Sequence, residues 1–373
     1  MGVLVFLRFV GVPDLVVGVP DLVARRSPHS VAVLVPFFPA LGFMGVPAMV
    51  LGFFMGVPAM AEVPAFRHFV TGDPADVVTP TSGLLVLQGG GADVDENYVH
   101  MGERGGGGDF VVLRASGGDE YNSYIFDLCK CDSVETLVLD GREAAADPFV
   151  IETIRNAEAL FIAGGDQSRY VRFWKDTAIE EAINFVAAKP APVGGTSAGM
   201  AILGEYSYSA MREESLTAER ALANPFHDDL TLARDFLALE GLDNLITDQH
   251  LQERNRIGRT VALLARLLQD GWTTDARAIA ADRETSLHVD PATGDAQVFA
   301  TSDHATPYVY FMRSQRRPDV CEPGMPLTFR DVEVYRVGPG ATFNIEAWRG
   351  EGGLDYTLSA EDGVLSSSRG DIY

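Results

Sequence analysis

The chain has 373 residues, of which 47% are hydrophobic, so it is long and apolar enough to bury a large core. Its 52 acidic and 29 basic side chains give a formal net charge of −23, most of which a solvated acidic surface explains. This charge argues against nucleic acid and anionic membrane surfaces as partners, because both would be repelled, and is compatible with a basic or zwitterionic substrate.

Residues 1–61 differ in composition from the rest of the chain. They contain short repeats built on Gly-Val-Pro, and no charged residue occurs from position 31 to position 61. Arg25 and Arg26 precede this apolar run, and Ala-Met-Ala at 59–61 has the small-x-small pattern of a signal-peptidase site. The layout predicts an export signal and a secreted or periplasmic protein.

Two other interpretations of this segment stay open. The apolar run is longer than a usual signal and contains four prolines, so it is also compatible with a membrane anchor. Alternatively, translation starts at Met44 or later, which would make the upstream repeats spurious and the protein cytoplasmic. Residues 62–81, where prolines and threonines recur, are predicted to be a linker, and residues 82–373 a single α/β domain.

Short apolar runs alternate with helical patterns from Ser82 onward. The predicted strands are residues 84–87, 110–113, 136–139 and 160–163, and the predicted helices are residues 123–131, 148–157, 177–188 and approximately 254–269. This alternation predicts an α/β fold with a mostly parallel sheet flanked by helices. Ligands bind at the carboxyl ends of strands in such sheets.

The pattern becomes β-rich from about residue 275. The predicted strands are residues 278–281, 286–289, 297–299, 308–311, 332–335 and 342–345. We expect a β-rich C-terminal extension of the same sheet. The three cysteines are an odd number, and Cys129 and Cys131 are too close in sequence to pair easily, so neither a disulfide framework nor a zinc site is predicted.

The pentapeptide Gly-Thr-Ser-Ala-Gly at 195–199 fits the nucleophile-elbow motif G-x-S-x-G. In this motif a sharp turn between a strand and a helix exposes the serine Oγ, and the flanking glycines avoid collisions. The N–H of Ala198 would face the developing oxyanion. A strand-like segment before the motif and an apolar segment after it support the same geometry. The sequence therefore predicts Ser197 as the nucleophile of a serine hydrolase.

A hydrolytic serine needs a base, and His250 stands apart from the other histidines. It follows a strand-like segment and precedes three arginines at positions 254, 256 and 259, in a chain poor in basic residues. Cations near a helix start oppose the helix dipole unless something anionic compensates them. Two interpretations follow: ion pairs with the protein's own carboxylates, or a pocket for a substrate carboxylate.

These motifs resemble those of the cyanophycinase and peptidase E group of serine peptidases. The elbow at 195–199, Gly-Gly-Asp-Gln at 164–167 and D-Q-H-x-x-x-R-x-R-x-x-R at 248–259 follow the cyanophycinase pattern in order and spacing. The resemblance covers roughly residues 82–346. It implies a class I glutamine-amidotransferase-like, flavodoxin-like fold and hydrolysis of cyanophycin, a poly-aspartate whose side chains each carry an arginine, to β-aspartyl-arginine dipeptides.

The resemblance also implies roles for individual residues. Ser197 is the nucleophile, His250 is the base, and the N–H groups of Gly165 and Ala198 form the oxyanion hole. The implied substrate-binding residues are Gln167, Asp248, Gln249, Arg254, Arg256 and Arg259. No metal or organic cofactor is implied. The expected substrate is cyanophycin or another acidic or arginyl peptide, and the expected protein partner is a second copy of the chain in a homodimer. No nucleic-acid partner is expected.

The third member of the catalytic triad is the point at which the chain departs from the pattern. The family has a glutamate in a strand motif similar to I-D-E-x-T-A-L, and Arg283 stands at that position here. Glu284 is one residue further along, on the opposite face of a regular strand unless a bulge restores it. We predict Glu284 as the third member, with Asp282, or a dyad without an acid, as the alternatives.

The sequence is also compatible with two other functions. The first is an aspartyl dipeptidase-like exopeptidase, which would use the same fold on a smaller substrate. The second is a catalytically impaired binding homologue, an alternative raised by the arginine at position 283.

Overall fold

The computed structural model describes residues 65–212, 215–301 and 307–373, and these ranges form two β-sheets with flanking helices. The strands are β1 Arg67–Gly72, β2 Leu84–Gln88, β3 Asp109–Arg114, β4 Ser133–Val138, β5 Ala159–Ile162, β6 Pro192–Thr196, β7 Tyr206–Tyr208, β8 Leu232–Arg234, β9 Leu245–Asp248, β10 Ala276–Ala281, β11 Thr285–Val289, β12 Asp295–Ala300, β13 Val309–Ser314, β14 Phe329–Val337, β15 Thr342–Asn344, β16 Arg349–Glu351, β17 Leu354–Glu361 and β18 Val364–Ser367. The helices are α1 Asp95–Arg104, α2 Asn122–Cys129, α3 Pro148–Asn156, α4 Gln167–Phe173, α5 Ala178–Ala187, α6 Ala218–Ala223 and α7 Ile257–Gln269. The predicted export signal, residues 1–61, lies outside the described residues.

The first sheet has a parallel centre with antiparallel strands on both sides. Its order is β1-β4-β3-β5-β6-β2-β11-β12-β15-β16. The five strands from β4 to β2 pair in parallel, whereas β1 and the four strands from β11 to β16 pair antiparallel. The predicted parallel sheet flanked by helices is therefore present, and it is the part of the molecule in which strands and helices alternate.

Helices cover both faces of this parallel centre. On β2, Val86 packs in one apolar cluster with side chains of α1 and α2, and Leu87 packs in another with side chains of α3 and α5. Successive strand residues point to opposite faces, so both faces must be apolar. This requirement explains why β2 is an uninterrupted apolar run rather than an alternating one.

The second sheet has the order β18-β17-β14-β13-β10-β9-β7-β8. Only β10, β9 and β7 pair in parallel, and α7 packs its apolar face against the sheet. The predicted C-terminal extension of the first sheet is thus formed by β11, β12, β15 and β16. The remaining C-terminal strands belong to the second sheet, because β10 pairs with β9 rather than with β2.

Part of the predicted linker is a strand. β1 lies at the edge of the first sheet and pairs antiparallel with β4, with Arg67 opposite Val138 and Gly72 opposite Ser133. Pro74 and Pro80 follow this strand without interrupting it. The proline-rich composition therefore describes the ends of the segment, not its middle.

The cysteine expectation is wrong for the C-x-C pair. Cys129 and Cys131 form a disulfide, with their Cα atoms 5.2 Å apart, and Cys321 is buried and free. Lys130 between them has a left-handed backbone, with φ of 56°, which turns the chain back on itself at the end of α2. Across the three described ranges, no helix combines the length and apolar character needed to cross a bilayer.

Candidate active site

The predicted site residues converge where the two sheets meet. The turns after β2, β5 and β6 lie at the carboxyl edge of the parallel centre, and the turns after β9 and β10 approach the same edge from the second sheet. A hydrogen bond joins the two sheets there: the His250 N–H, just after β9, donates to the Gly89 carbonyl, just after β2, at 2.9 Å. This is the edge at which ligands bind in parallel sheets.

Ser197 has the backbone of a nucleophile elbow. It follows β6 directly and has φ of 53°, a left-handed conformation that few serines adopt. Its N–H donates to the Gln88 carbonyl at 2.9 Å, and its own carbonyl accepts from the Ala201 N–H at 3.0 Å. These bonds fix the strained turn and hold Oγ above the end of the sheet.

The glycines on either side of Ser197 have no room for a side chain. A Cβ on Gly199 would lie 2.0 Å from the Ile162 carbonyl oxygen, and a Cβ on Gly195 would lie 2.7 Å from the carbonyl carbon of Gly199. Both distances are shorter than any van der Waals contact. The role that the motif predicts for these two glycines is therefore present in the structure.

His250 and Ser197 are hydrogen-bonded to each other. The Nε2 atom of His250 lies 3.0 Å from the Oγ atom of Ser197. The imidazole is buried, with only 6% of the side chain exposed, and its backbone is also left-handed, with φ of 50°. A Cβ on Gly90 would lie 2.2 Å from Nε2, so the ring packs directly against glycine backbone.

The other imidazole nitrogen contacts Glu253, a residue that sequence reasoning did not single out. The Nδ1 atom of His250 lies 2.5 Å from Oε2 of Glu253. These partners assign the neutral tautomer with the proton on Nδ1, which leaves Nε2 as the acceptor for the Ser197 hydroxyl. The only sequence feature that could have indicated Glu253 as the partner of His250 is its position three residues later. That spacing predicts a contact only if the intervening residues form a turn.

The structure corrects the prediction for Glu284. Its carboxylate forms an ion pair with Arg283, and its backbone, with φ of 55°, lies in the turn between β10 and β11. The alternative acid, Asp282, accepts a hydrogen bond from the Gln252 N–H at 2.8 Å. It is therefore Glu253 that contacts Nδ1 of His250, because the turn after His250 brings Glu253 to that nitrogen.

The predicted oxyanion donors lie beside the nucleophile. A Cβ on Gly164 would lie 3.4 Å from the Cβ of Ser197, so the Gly164-Gly165 turn and the elbow are in contact. The Tyr170 hydroxyl supports this turn through the Ala163 and Gly164 carbonyls, at 2.8 and 3.1 Å. Within the described part of the chain, neither the Gly165 N–H nor the Ala198 N–H donates a hydrogen bond, so both are available to a ligand oxygen.

Asp248 and Arg259 satisfy each other in the protein interior. Arg259 has no exposed side-chain surface and pairs with the carboxylate of Asp248, which also accepts from the Thr260 hydroxyl at 2.8 Å. Burial raises the pKa of Asp248, but the charge and hydrogen bonds of Arg259 outweigh it and hold that pKa below its usual range. The sequence predicted that these two residues bind substrate, whereas in the structure they contact each other and join β9 to α7.

The remaining predicted pocket residues differ in exposure. Gln249 and Arg256 are buried and contact each other, with the Arg256 Nη1 atom 2.5 Å from the Gln249 Oε1 atom. Gln167 is also buried and donates to the Tyr208 carbonyl at 3.4 Å. Burial and the neighbouring guanidinium of Arg259 lower the pKa of Arg256 to about 9. Arg254 is the member of the predicted set whose side chain is half exposed.

Electrostatics at the site favour a neutral histidine and an ionised glutamate. Burial lowers the pKa of His250 below its ordinary 6.5, Glu253 opposes that shift, and Arg254 and Arg256 add to it. Burial raises the pKa of Glu253, but the hydrogen bond and charge of His250, with Arg254 and Arg283, outweigh this and lower it below 4.5. His250 is therefore suited to accept a proton near neutral pH.

Comparisons with known proteins agree with this geometry. Residues 121–260 match Peptidase family S51. A cyanophycinase of Trichormus variabilis is 29% identical over 142 residues, which are 38% of this chain and 44% of that protein. A cyanophycinase of Geminocystis herdmanii is 30% identical over 149 residues, which are 40% of this chain and 50% of that protein. The chain resembles the cyanophycinase and peptidase E group of serine peptidases.

The similarity has a defined extent. The chain spans about half the length of the curated relatives it matches. Among solved structures, a peptidase from an acI-B1 Actinobacterium superposes with a TM-score of 0.48 at 17% identity, over 71% of this chain and 98% of the other. The S51 match contains Ser197, His250 and Glu253 and ends before Glu284. Among the described residues, no group of three or more His, Cys, Asp and Glu side chains is placed to hold a metal ion.

Proposed function

We propose that this protein is a serine peptidase of cyanophycinase type, with Ser197 as the nucleophile and His250 as the general base. The observation that carries the proposal is the 3.0 Å contact between the Ser197 Oγ and the His250 Nε2, at an elbow that only glycine neighbours permit. A serine hydroxyl is a weak nucleophile unless an adjacent base accepts its proton. The S51 match and the relatives named cyanophycinase support the same reaction class.

The proposed reaction proceeds in two steps. Ser197 Oγ attacks a peptide carbonyl while His250 Nε2 accepts the hydroxyl proton, and the oxyanion receives hydrogen bonds from the N–H groups of Ala198 and Gly165. His250 then gives the proton to the leaving amine, which departs as the acyl-enzyme forms. A water molecule, deprotonated by His250, hydrolyses the acyl-enzyme and restores Ser197.

The proposed substrate is cyanophycin, cleaved at its poly-aspartate backbone to release β-aspartyl-arginine. Arg254 is the arginine of the histidine motif that is half exposed, and it lies within the turn of residues 251–255 that follows His250, the catalytic turn. Its guanidinium is suited to the free carboxylate that each arginine of the polymer carries. Two of the three arginines thus serve the fold, and one is available to the substrate.

The test is turnover of insoluble cyanophycin by the wild-type protein and by Ser197→Ala. We expect the wild type to release β-aspartyl-arginine and the variant to lose at least about 10³-fold in rate. Parallel assays on Asp-X dipeptides distinguish the substrate classes. Release of free aspartate from dipeptides without action on the polymer would identify an exopeptidase, and polymer cleavage that survives Ser197→Ala would contradict the proposal.

A further inference from the structure

We propose that Glu253 is the acid that orients His250, so that the catalytic base and its acid lie on one turn between β9 and α7. The inference rests on the proposed peptidase function and names a positioning residue for it. Its observation is geometric: the Glu253 carboxylate lies 2.5 Å from His250 Nδ1 while the opposite ring nitrogen contacts Ser197. This is the connectivity of a serine, histidine and acid triad, in which the acid fixes the tautomer and stabilises the imidazolium.

The backbone of this turn explains why Glu253 reaches His250. The Arg254 N–H donates to the His250 carbonyl at 3.1 Å, and the Arg256 N–H donates to the Leu251 carbonyl at 2.7 Å. The left-handed φ of His250 begins the turn, and α7 starts only after Arg256. A residue three positions after the histidine is therefore folded back over the imidazole.

The neighbouring strand of the same sheet, β10, also holds the turn. The Asp282 carboxylate, directly after β10, accepts from the Gln252 N–H, one residue before Glu253. The Leu251 N–H also donates to the Ala281 carbonyl at 3.3 Å. The end of β10 thus supports the catalytic turn through its backbone and leaves the contact with Nδ1 to Glu253.

Charged neighbours keep Glu253 in its ionised form. The Arg254 Nε atom lies 3.9 Å from its carboxylate, and Arg283, the residue that replaces the expected strand acid, also lies near it. Arg283 in turn pairs with Glu284. The positive charge of Arg283 thus favours the ionised form of Glu253.

The experiment compares Glu253→Gln with the rival change Glu284→Gln, and uses Glu152→Gln, on an exposed position of α3, as the matched control. The primary measurement is the rate at which a fluorophosphonate modifies Ser197, which needs no knowledge of the substrate. Glutamine keeps the shape of Glu253 but removes its charge. We expect Glu253→Gln to lower the rate by about 10² to 10⁴-fold, and by more than Glu284→Gln does.

Two further measurements separate a positioning role from a structural one. Loss of the carboxylate removes a stabiliser of protonated His250, so the acidic limb of the pH–rate profile should move to lower pH. In proton NMR, the low-field resonance of the His250 Nδ1 proton should be present in the wild type and absent in Glu253→Gln. Glu253→Asp, which keeps the charge on a shorter side chain, should recover part of the rate.

Several results would overturn this inference. They are a Glu253→Gln rate within about threefold of the wild type, a larger effect of Glu284→Gln, or an unmoved acidic limb. A change in KM alone would instead make Glu253 a substrate contact. Failure of the wild type to react at Ser197 would contradict the proposed function, and the NMR comparison would then decide the role of Glu253 by itself.

Discussion

At the scale of residues, the nucleophile and the base are held on consecutive carbonyls of one strand end. The Ser197 N–H donates to the Gln88 carbonyl, and the His250 N–H donates to the next carbonyl, that of Gly89. Both Ser197 and His250 have left-handed backbones, which cost about 1 to 3 kcal/mol each and persist only where the surroundings impose them. The end of β2 therefore sets the distance between the two catalytic groups.

Gly90 tests this arrangement without altering any reacting group. An added Cβ would lie 2.2 Å from the His250 Nε2 atom, and the glycine has φ of +99°, so Gly90→Ala must displace the imidazole. We expect kcat to fall by about 10²-fold or more, because small misplacements of catalytic groups have effects of that size. The control is Gly118→Ala, where the nearest atom would lie 3.7 Å away, and activity equal to the wild type in Gly90→Ala would refute the account.

The sequence correctly predicted residues, such as the elbow glycines, at positions where the backbone conformation leaves no room for another residue type. The elbow was recognisable because Gly195 and Gly199 leave a signature that any chain with this turn must carry. Glu253 leaves no such signature. Its contact depends on the left-handed φ of His250, and a local pattern of apolar and polar residues does not encode that angle.

At the scale of elements, the arginine-rich motif is mainly a joint between β9 and α7. The pattern predicted a helix from about residue 254, but α7 begins at Ile257, because residues 251–255 form the catalytic turn. Cations near the start of a helix are unfavourable unless an anion compensates them, and here that anion is the protein's own Asp248. Periodicity located the helix but could not distinguish an internal ion pair from a substrate pocket, because both need the same residue types.

Breaking this joint should destabilise the fold. Arg259→Met leaves the carboxylate of Asp248 buried without its partner, and removal of one member of a buried pair costs about 3 to 5 kcal/mol. We expect that loss in the free energy of unfolding by urea. Arg254→Met, on an exposed side chain of the same motif, should change the unfolding free energy by less than about 0.5 kcal/mol. Equal stability of the two variants would show that Arg259 is not a structural residue.

At the scale of the whole molecule, the site exists because two sheets meet along one edge. The predicted strands correspond closely to observed ones, for example residues 84–87 to β2 and residues 286–289 to β11. Their division between two sheets was not predicted, because an apolar run specifies a strand but not its neighbour. That choice depends on long-range pairing, such as that of β10 with β9.

Asp282 lies at this junction, and burial raises its pKa to about 7 from 3.8. The folded state therefore binds more protons than the unfolded state. The contribution of this shift to the stability of the folded state is complete below pH 3.8, decreases above that pH, and is lost once the pH has risen through 7. Asp282→Asn removes this titration. As the pH rises from 5 to 8, we expect the variant to gain stability relative to the wild type, by up to about 1.4 kcal/mol per pH unit until the pH passes about 7.

Thermal unfolding of both proteins across that pH range measures the effect. A difference between Asp282→Asn and the wild type that does not change with pH would show that Asp282 has an ordinary pKa. Asp282 would then accept the hydrogen bond from Gln252 as an ordinary carboxylate and would not be a protonated carboxyl at the junction.

The most direct test of the central claim is covalent labelling of the native protein with a fluorophosphonate, followed by intact mass measurement and peptide mapping. We expect one phosphonyl group per chain, on Ser197, and a labelling rate at least about 10²-fold lower in His250→Ala. Protein unfolded in urea should not react. No labelling, labelling at another residue, or an unchanged rate in His250→Ala would contradict the assignment of Ser197 and His250 as an activated nucleophile and its base.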